Sequence, residues 1–216
     1  MRFADECRQA AEPIWAAIFA HPLLRQLCDG TLPIDTFRYF LVQDWHYLDA
    51  FARCVGLSLG KAEDTEMLAR LTARVTAPVE KTLHRTLLGR LQVDPATIAG
   101  LPVAPTTRAY RNHLLVTATL GTLGETAAAL LPCPWTYHEI GRRLAPVAHP
   151  LYAEWAAFYT GGGLTESVRA WTELVEFSAA TAGPRERHAM REAFLTSSRY
   201  EFAFWEMVTH REAWPA

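Results

Sequence analysis

Cys133 lies between two prolines, in the run Leu131-Pro132-Cys133-Pro134-Trp135-Thr136-Tyr137. Pro134 has its φ already fixed for a first helical turn and no N–H to lose there, so Cys133 is predicted as the N-cap of a new helix. A thiol in that place faces free backbone N–H groups and the positive end of the helix dipole. Both favour the thiolate and make Cys133 a candidate nucleophile. Tyr137, four residues on, shares its helix face and can reach whatever the sulfur attacks. The local pattern alone also fits a small buried cysteine at a helix start.

Two carboxylates stand in equally apolar company. In Gln43-Asp44-Trp45-His46-Tyr47, Asp44 and Tyr47 are three apart and share a helix face with Phe37, Phe40, Leu41 and Leu48. An aspartate there is costly to bury unless it is hydrogen-bonded or paired, so Asp44 either grips an amine-bearing ligand or meets an arginine across the fold. In Tyr200-Glu201-Phe202-Ala203-Phe204-Trp205-Glu206, Glu201 shares a face with Phe204 and Trp205. A carboxyl enclosed by rings has its charged form disfavoured, which moves its pKa up toward acid–base use. Glu206 competes for the inward position, but His210 four residues on marks it as half of an outer, solvated pair. Tyr110, Tyr137 and Tyr159 also lie among apolar neighbours, as core residues or as walls of a pocket.

Other chemistries find less support. Glu80 with His84, like Glu206 with His210, is an i, i+4 pair that could be a plain helix contact. The repeated Glu-x-x-His of di-iron bundles is absent, and so are GxGxxG, P-loop and HExxH motifs. His21-Pro22 resembles a helix terminator more than a haem ligand. The four cysteines, Cys7, Cys28, Cys54 and Cys133, are scattered without a CxxC pair, against both zinc binding and a disulfide framework. No metal or cofactor is therefore expected.

The elements that must carry these residues are helical almost throughout. Residues 4–20 form a stripe of Ala11, Ile14, Trp15, Ile18 and Phe19, broken at His21-Pro22. A long helix opens at Leu32-Pro33-Ile34-Asp35 and closes at Gly60. Residues 64–91 turn Leu68, Leu71, Val75, Val79, Leu83 and Leu87 to one side, with Pro78 kinking or dividing the run. After a Gly100–Pro105 connector come helices at 106–121, 125–131, 134–144 and 150–159. The segment 165–182 is amphipathic through Val168, Trp171, Leu174, Val175 and Phe177. A final helix starts at Gly183-Pro184 and runs to about 212. Strand-like alternation and hairpin turns are missing, so one all-α domain over residues 1–216, of eight or nine helices, is predicted.

The whole composition agrees with that. Of 216 residues half are hydrophobic and 20% charged, with a net charge of −2, so nothing points to disorder or to nucleic acid. Seven tryptophans suit the packing of large helices against one another. No signal-type stretch opens the chain, and the apolar run 114–124 is too short to span a bilayer, so no membrane partner and a cytoplasmic location are expected.

Taken jointly, the blocks Gln43-Asp44-x-x-Tyr47, Leu131-Pro132-Cys133-x-x-x-Tyr137-x-x-Ile140-Gly141 and Tyr200-Glu201-x-x-Phe204-Trp205 resemble the TenA family, also called thiaminase II or aminopyrimidine aminohydrolase. The likeness extends over essentially the whole chain and is to the cysteine-containing branch. It implies a haem-oxygenase-like fold without haem, a homotetramer, and a small pyrimidine substrate. The implied reaction is hydrolysis of 4-amino-5-aminomethyl-2-methylpyrimidine to the 5-hydroxymethyl compound, with cleavage of thiamine as a second activity. It further implies Cys133 as nucleophile, Glu201 as acid–base residue and Asp44 as the grip on the aminopyrimidine. Tyr47 and Tyr137 would then hydrogen-bond near the ring and sulfur, with Tyr110, Tyr159 and Phe204 as pocket walls. His46 beside Trp45 departs from the aromatic residue expected nearby but leaves the motif intact. Two other function classes fit the same frame: an oxidase related to pyrroloquinoline-quinone synthase, and a non-catalytic pyrimidine-binding protein. The first calls for more His and Arg in the cavity, and the second leaves an activated thiol without a task.

Overall fold

Proline divides the chain more finely than hydrophobic periodicity anticipates. The computed structural model describes residues 1–75, 79–94, 96–144, 146–160 and 162–215. Among them are twelve α-helices, one short 3-10 turn and no strand. The expected first helix is two, α1 (Phe3–Ala10) and α2 (Glu12–Phe19). Pro13 in the first turn of α2 lacks the N–H that would have continued the ladder. His21-Pro22 ends one helix and also starts the next, α3 (Pro22–Asp29): His21 Nδ1 accepts from the Leu23 N–H at 3.2 Å as a side-chain cap.

The long helix α4 (Ile34–Leu59) ends at Gly60 as expected, and Phe37, Phe40, Leu41, Asp44, Tyr47 and Leu48 all face inward. Next come α5 (Thr65–Val75) and α6 (Val79–Arg90). Pro78 and the side chains of Val75 and Val79 lie outside the described residues. Leu68, expected inside, is exposed, and Met67 takes the buried place beside Leu71. The remaining helices are α7 (Pro105–Leu120), α8 (Leu123–Leu130), α9 (Pro132–Arg143), α10 (Pro150–Tyr159), α11 (Gly162–Thr181) and α12 (Pro184–His210). Phe177 on α11 is exposed because the buried face there runs through Trp171, Leu174, Val175 and Ala179, and position 177 falls out of that phase.

α12 packs against α8, α7, α2 and α9, while α4 packs against α7, α5 and α6, so α4 and α12 bring the two candidate carboxylate motifs into one interior. Trp15, Trp155, Trp171 and Trp205 are completely buried, and the Trp15 indole N–H donates to Ser198 Oγ at 3.0 Å. No helix among the described residues is long and apolar enough to cross a membrane.

Close approach of α9 to α10 depends on Gly141. A Cβ built there would lie 2.9 Å from both the carbonyl carbon and the Cβ of Tyr159. Gly141→Ala is therefore expected to push α10 outward and cost about 1–3 kcal/mol, read as a lower urea midpoint at unchanged m-value.

Candidate active site

Five of these helices, with α6 as a sixth, deliver the candidate residues to one place. α4 supplies Asp44 and Tyr47, α7 supplies Tyr110, and α9 supplies Cys133 and Tyr137. α10 contributes Tyr159, and α12 contributes Glu201 and Phe204. All eight are buried. Their rings form a continuous wall. Tyr47 lies 4.8 Å from Tyr110 and 6.3 Å from Phe204, centroid to centroid, and Phe204 meets Phe40 edge-on at 6.1 Å. Phe40 stacks on Trp205 at 5.4 Å, Trp205 adjoins Tyr137 at 5.8 Å, and Tyr137 adjoins Tyr159 at 5.0 Å.

Glu201 is enclosed as the sequence predicts. The Tyr110 hydroxyl donates to its Oε1 at 2.6 Å. Burial pushes this carboxyl up to about 8, with the Tyr110 hydrogen bond opposing and the nearby Asp44 and Glu80 adding to the rise. Glu201 is thus a carboxylic acid at neutral pH. Glu206, by contrast, sits at the surface between His21, at 2.9 Å, and His210, at 3.6 Å.

Among the described residues Asp44 meets no arginine; its partner is His84. Nε2 of His84 lies 2.7 Å from Asp44 Oδ2, although the ring is turned out of good hydrogen-bond alignment and both atoms keep unfilled capacity. The other ring nitrogen, Nδ1, is 2.8 Å from the main-chain oxygen of Glu80. The Glu80 carboxyl in turn accepts from the Tyr159 hydroxyl at 2.7 Å. Burial and Asp44 push Glu80 up to about 7, against the opposing effects of His84 and Tyr159. The pair Glu80–His84 is therefore no plain surface contact, and sequence reasoning missed it. The available signal was phase: His84 continues the buried face of Leu87, Leu88 and Leu91.

Cys133 requires a correction. α9 begins two residues earlier, at Pro132, with Leu131 as a cap that itself stays in the right-handed region (φ −61°, ψ −37°). Cys133 is inside the first turn, not the N-cap, and α8 runs into α9 almost without a break. Burial pushes the thiol well up, and the carboxyls of Glu201, Glu80 and Asp44 push the same way, with the Tyr47 hydroxyl opposing. Desolvation outweighs the helix dipole here, so the resting sulfur is a thiol. The Tyr47 hydroxyl has no hydrogen-bond partner of good geometry among the described residues and interacts with this sulfur and with the Tyr110 hydroxyl.

Among the described residues one group brings three possible metal ligands together: Asp44, Glu80 and His84, with donor atoms within 4.8 Å of one another. Two ligands sharing a tetrahedral ion at about 2.0–2.2 Å would stand roughly 3.3 Å apart. The 2.7 Å separation of His84 from Asp44 is that of a direct ion pair. Elsewhere, a cleft of about 390 Å³ between α5 and α11 includes Met67, Leu71, Trp171 and Leu174. Its arginines Arg70 and Arg169 are held by Glu66 and by Glu166 and Glu173.

Residues 8–211 match the TENA/THI-4/PQQC family. The chain is 34% identical to the aminopyrimidine aminohydrolase of Bacillus subtilis, covering 99% of this chain and 92% of that protein. It is 32% identical to the aminopyrimidine aminohydrolase of Halalkalibacterium halodurans, over 99% and 98%. Among solved structures it superposes on a TenA homologue from P. horikoshii with TM-score 0.88, 30% identity and coverage of 97% and 99%. A Shewanella denitrificans domain of unknown function with a heme oxygenase-like fold aligns at TM-score 0.75 and 10% identity, covering 96% and 92%; the haem-oxygenase-like architecture is shared.

Proposed function

The chain belongs to the TENA/THI-4/PQQC family, and on that premise we propose that it is an aminopyrimidine aminohydrolase, a thiaminase II-type hydrolase of thiamine salvage. The convergence of Cys133, Glu201 and Asp44, from three helices, on one ring-lined interior is the observation that carries this. An aminopyrimidine is an electron-poor ring that aromatic walls can stack and a carboxylate can orient through its exocyclic amine.

The chemistry balances with the chain's own groups. The Cys133 sulfur adds to the ring carbon beside the aminomethyl-bearing carbon, while Glu201 protonates a ring nitrogen. The thiol proton passes to the substrate amine, which leaves as ammonia with the C–N electron pair. Water then adds to the exocyclic methylene and gives a proton to the Glu201 carboxylate. The C–S bond breaks, and the ring-nitrogen proton returns to sulfur. Tyr47, against the sulfur, and Tyr137 assist with hydrogen bonds, and Tyr110, Tyr159 and Phe204 enclose the ring.

The test is incubation of the purified protein with 4-amino-5-aminomethyl-2-methylpyrimidine, with thiamine and with a formylated precursor, reading kcat/KM for each. Equimolar ammonia and hydroxymethylpyrimidine from the first is the expected result, and no pyrimidine alcohol from any of them would overturn the assignment. A homotetramer and a cytoplasmic setting extend the same proposal. The former is checked by light scattering for a particle of four chains.

A further inference from the structure

Resting on the proposed function, the geometry points to His84 as a positioning residue: wedged between the Glu80 main-chain carbonyl and the Asp44 carboxyl, it fixes Asp44 as the acceptor for the ring's exocyclic amine.

His84 is completely buried, its Nδ1 bonded to the Glu80 main-chain oxygen and its Nε2 set 2.7 Å from Asp44 Oδ2 without good hydrogen-bond alignment. With Nδ1–H donating to the Glu80 oxygen, a neutral ring would present a bare lone pair at Nε2. A bare lone pair 2.7 Å from a carboxylate oxygen is repulsive, so a proton must stand between His84 and Asp44. The groups facing Asp44 say where charge can rest. They are His84 and Glu80 from α6, Cys133 and Tyr137 from α9, Tyr159 from α10 and Glu201 from α12. All but His84 are neutral or negative when they ionise. Among the described residues, no other basic side chain comes within ion-pair distance of Asp44, Glu80 or Glu201. If one carboxyl of the three is to be ionised in this dry space, it is Asp44, held by an imidazolium.

The charge state has a consequence for specificity. An ionised carboxylate only accepts, so it suits a ring amine and rejects a ring carbonyl. A protonated Asp44 could donate and would lose that discrimination. Asp44 Oδ2 still lacks an aligned donor, leaving capacity for a ligand N–H. His84 thus acts through Asp44 and does not touch the reacting atoms.

The experiment compares wild type with His84→Gln, which keeps a donor but not the charge. Binding of 4-amino-5-hydroxymethyl-2-methylpyrimidine and of its 4-oxo analogue is measured by calorimetry, alongside steady-state kinetics. In the variant the amino-over-oxo preference should fall about 10-fold, with KM raised about 10-fold and kcat changed less than about 3-fold. A folded variant with the wild-type preference and KM overturns the assignment. A second measurement needs no variant: nitrogen NMR of histidine-labelled wild type should find both His84 nitrogens protonated at pH 7, and a neutral ring overturns it. If wild type itself neither binds nor turns over the aminopyrimidine, the proposed function fails, whereas a normal wild type with an indifferent variant sinks His84 alone.

Discussion

Cys133→Ala should lower kcat by at least about 10³-fold, about 4 kcal/mol of barrier, while leaving affinity for hydroxymethylpyrimidine within about 3-fold. The split follows from the division of labour. In the proposed reaction Asp44 and the aromatic wall would bind the ring, whereas the sulfur would only have to add to it, and the sulfur side chain is small. Cys133→Ser should be nearly as inactive, because a hydroxyl in the same buried place is the poorer nucleophile. The raised thiol adds a second expectation. With no ligand bound, Cys133 should react with iodoacetamide more slowly than an exposed cysteine, since the residue is buried and its thiol protonated. Rapid quench and intact-mass measurement should trap a pyrimidine adduct on wild type and none on Cys133→Ala. Full turnover by the alanine variant would eliminate the covalent route.

How the sequence encodes this site explains which parts of it could be read in advance. Asp44, Tyr47, Glu201 and Phe204 are legible because each breaks or completes an apolar helical stripe, and a polar group on such a stripe must face the interior. The long helix α4 and the start of α12 at Gly183-Pro184 are legible for the same local reasons. The protonation state of Cys133 is not local. A helix start argues for thiolate, but three carboxyls from three other helices surround the sulfur and set the opposite sign. His84 escaped because an i, i+4 glutamate–histidine pair has the same spacing on a solvated face as on a buried one, and only the register with Leu87 and Leu88 distinguishes them. The split at Pro13 shows a similar limit: the hydrophobic stripe continues through Ala11 and Trp15 although the hydrogen-bond ladder does not.

Glu201→Gln should lower kcat about 10²–10³-fold, the usual worth of a general acid, and its pH behaviour separates that role from a structural one. Wild-type kcat/KM should fall as pH rises through about 8, because the acid form of Glu201 is lost there. The residual rate of the glutamine variant should be level across the same range. Stability should depend on the same proton. The folded pKa of about 8 lies above the ordinary 4.5, so the folded chain binds the extra proton and is most favoured below pH 4.5. That advantage drains away as pH rises to about 8. Glutamine, neutral at every pH and still able to meet the Tyr110 hydroxyl, suffers no such loss. Relative to wild type, its melting temperature should therefore climb between pH 5 and pH 8 while its activity stays low. A variant that tracks wild type in both profiles would mean that Glu201 is ionised in the folded protein, and a carboxylate there has no proton to give to the ring.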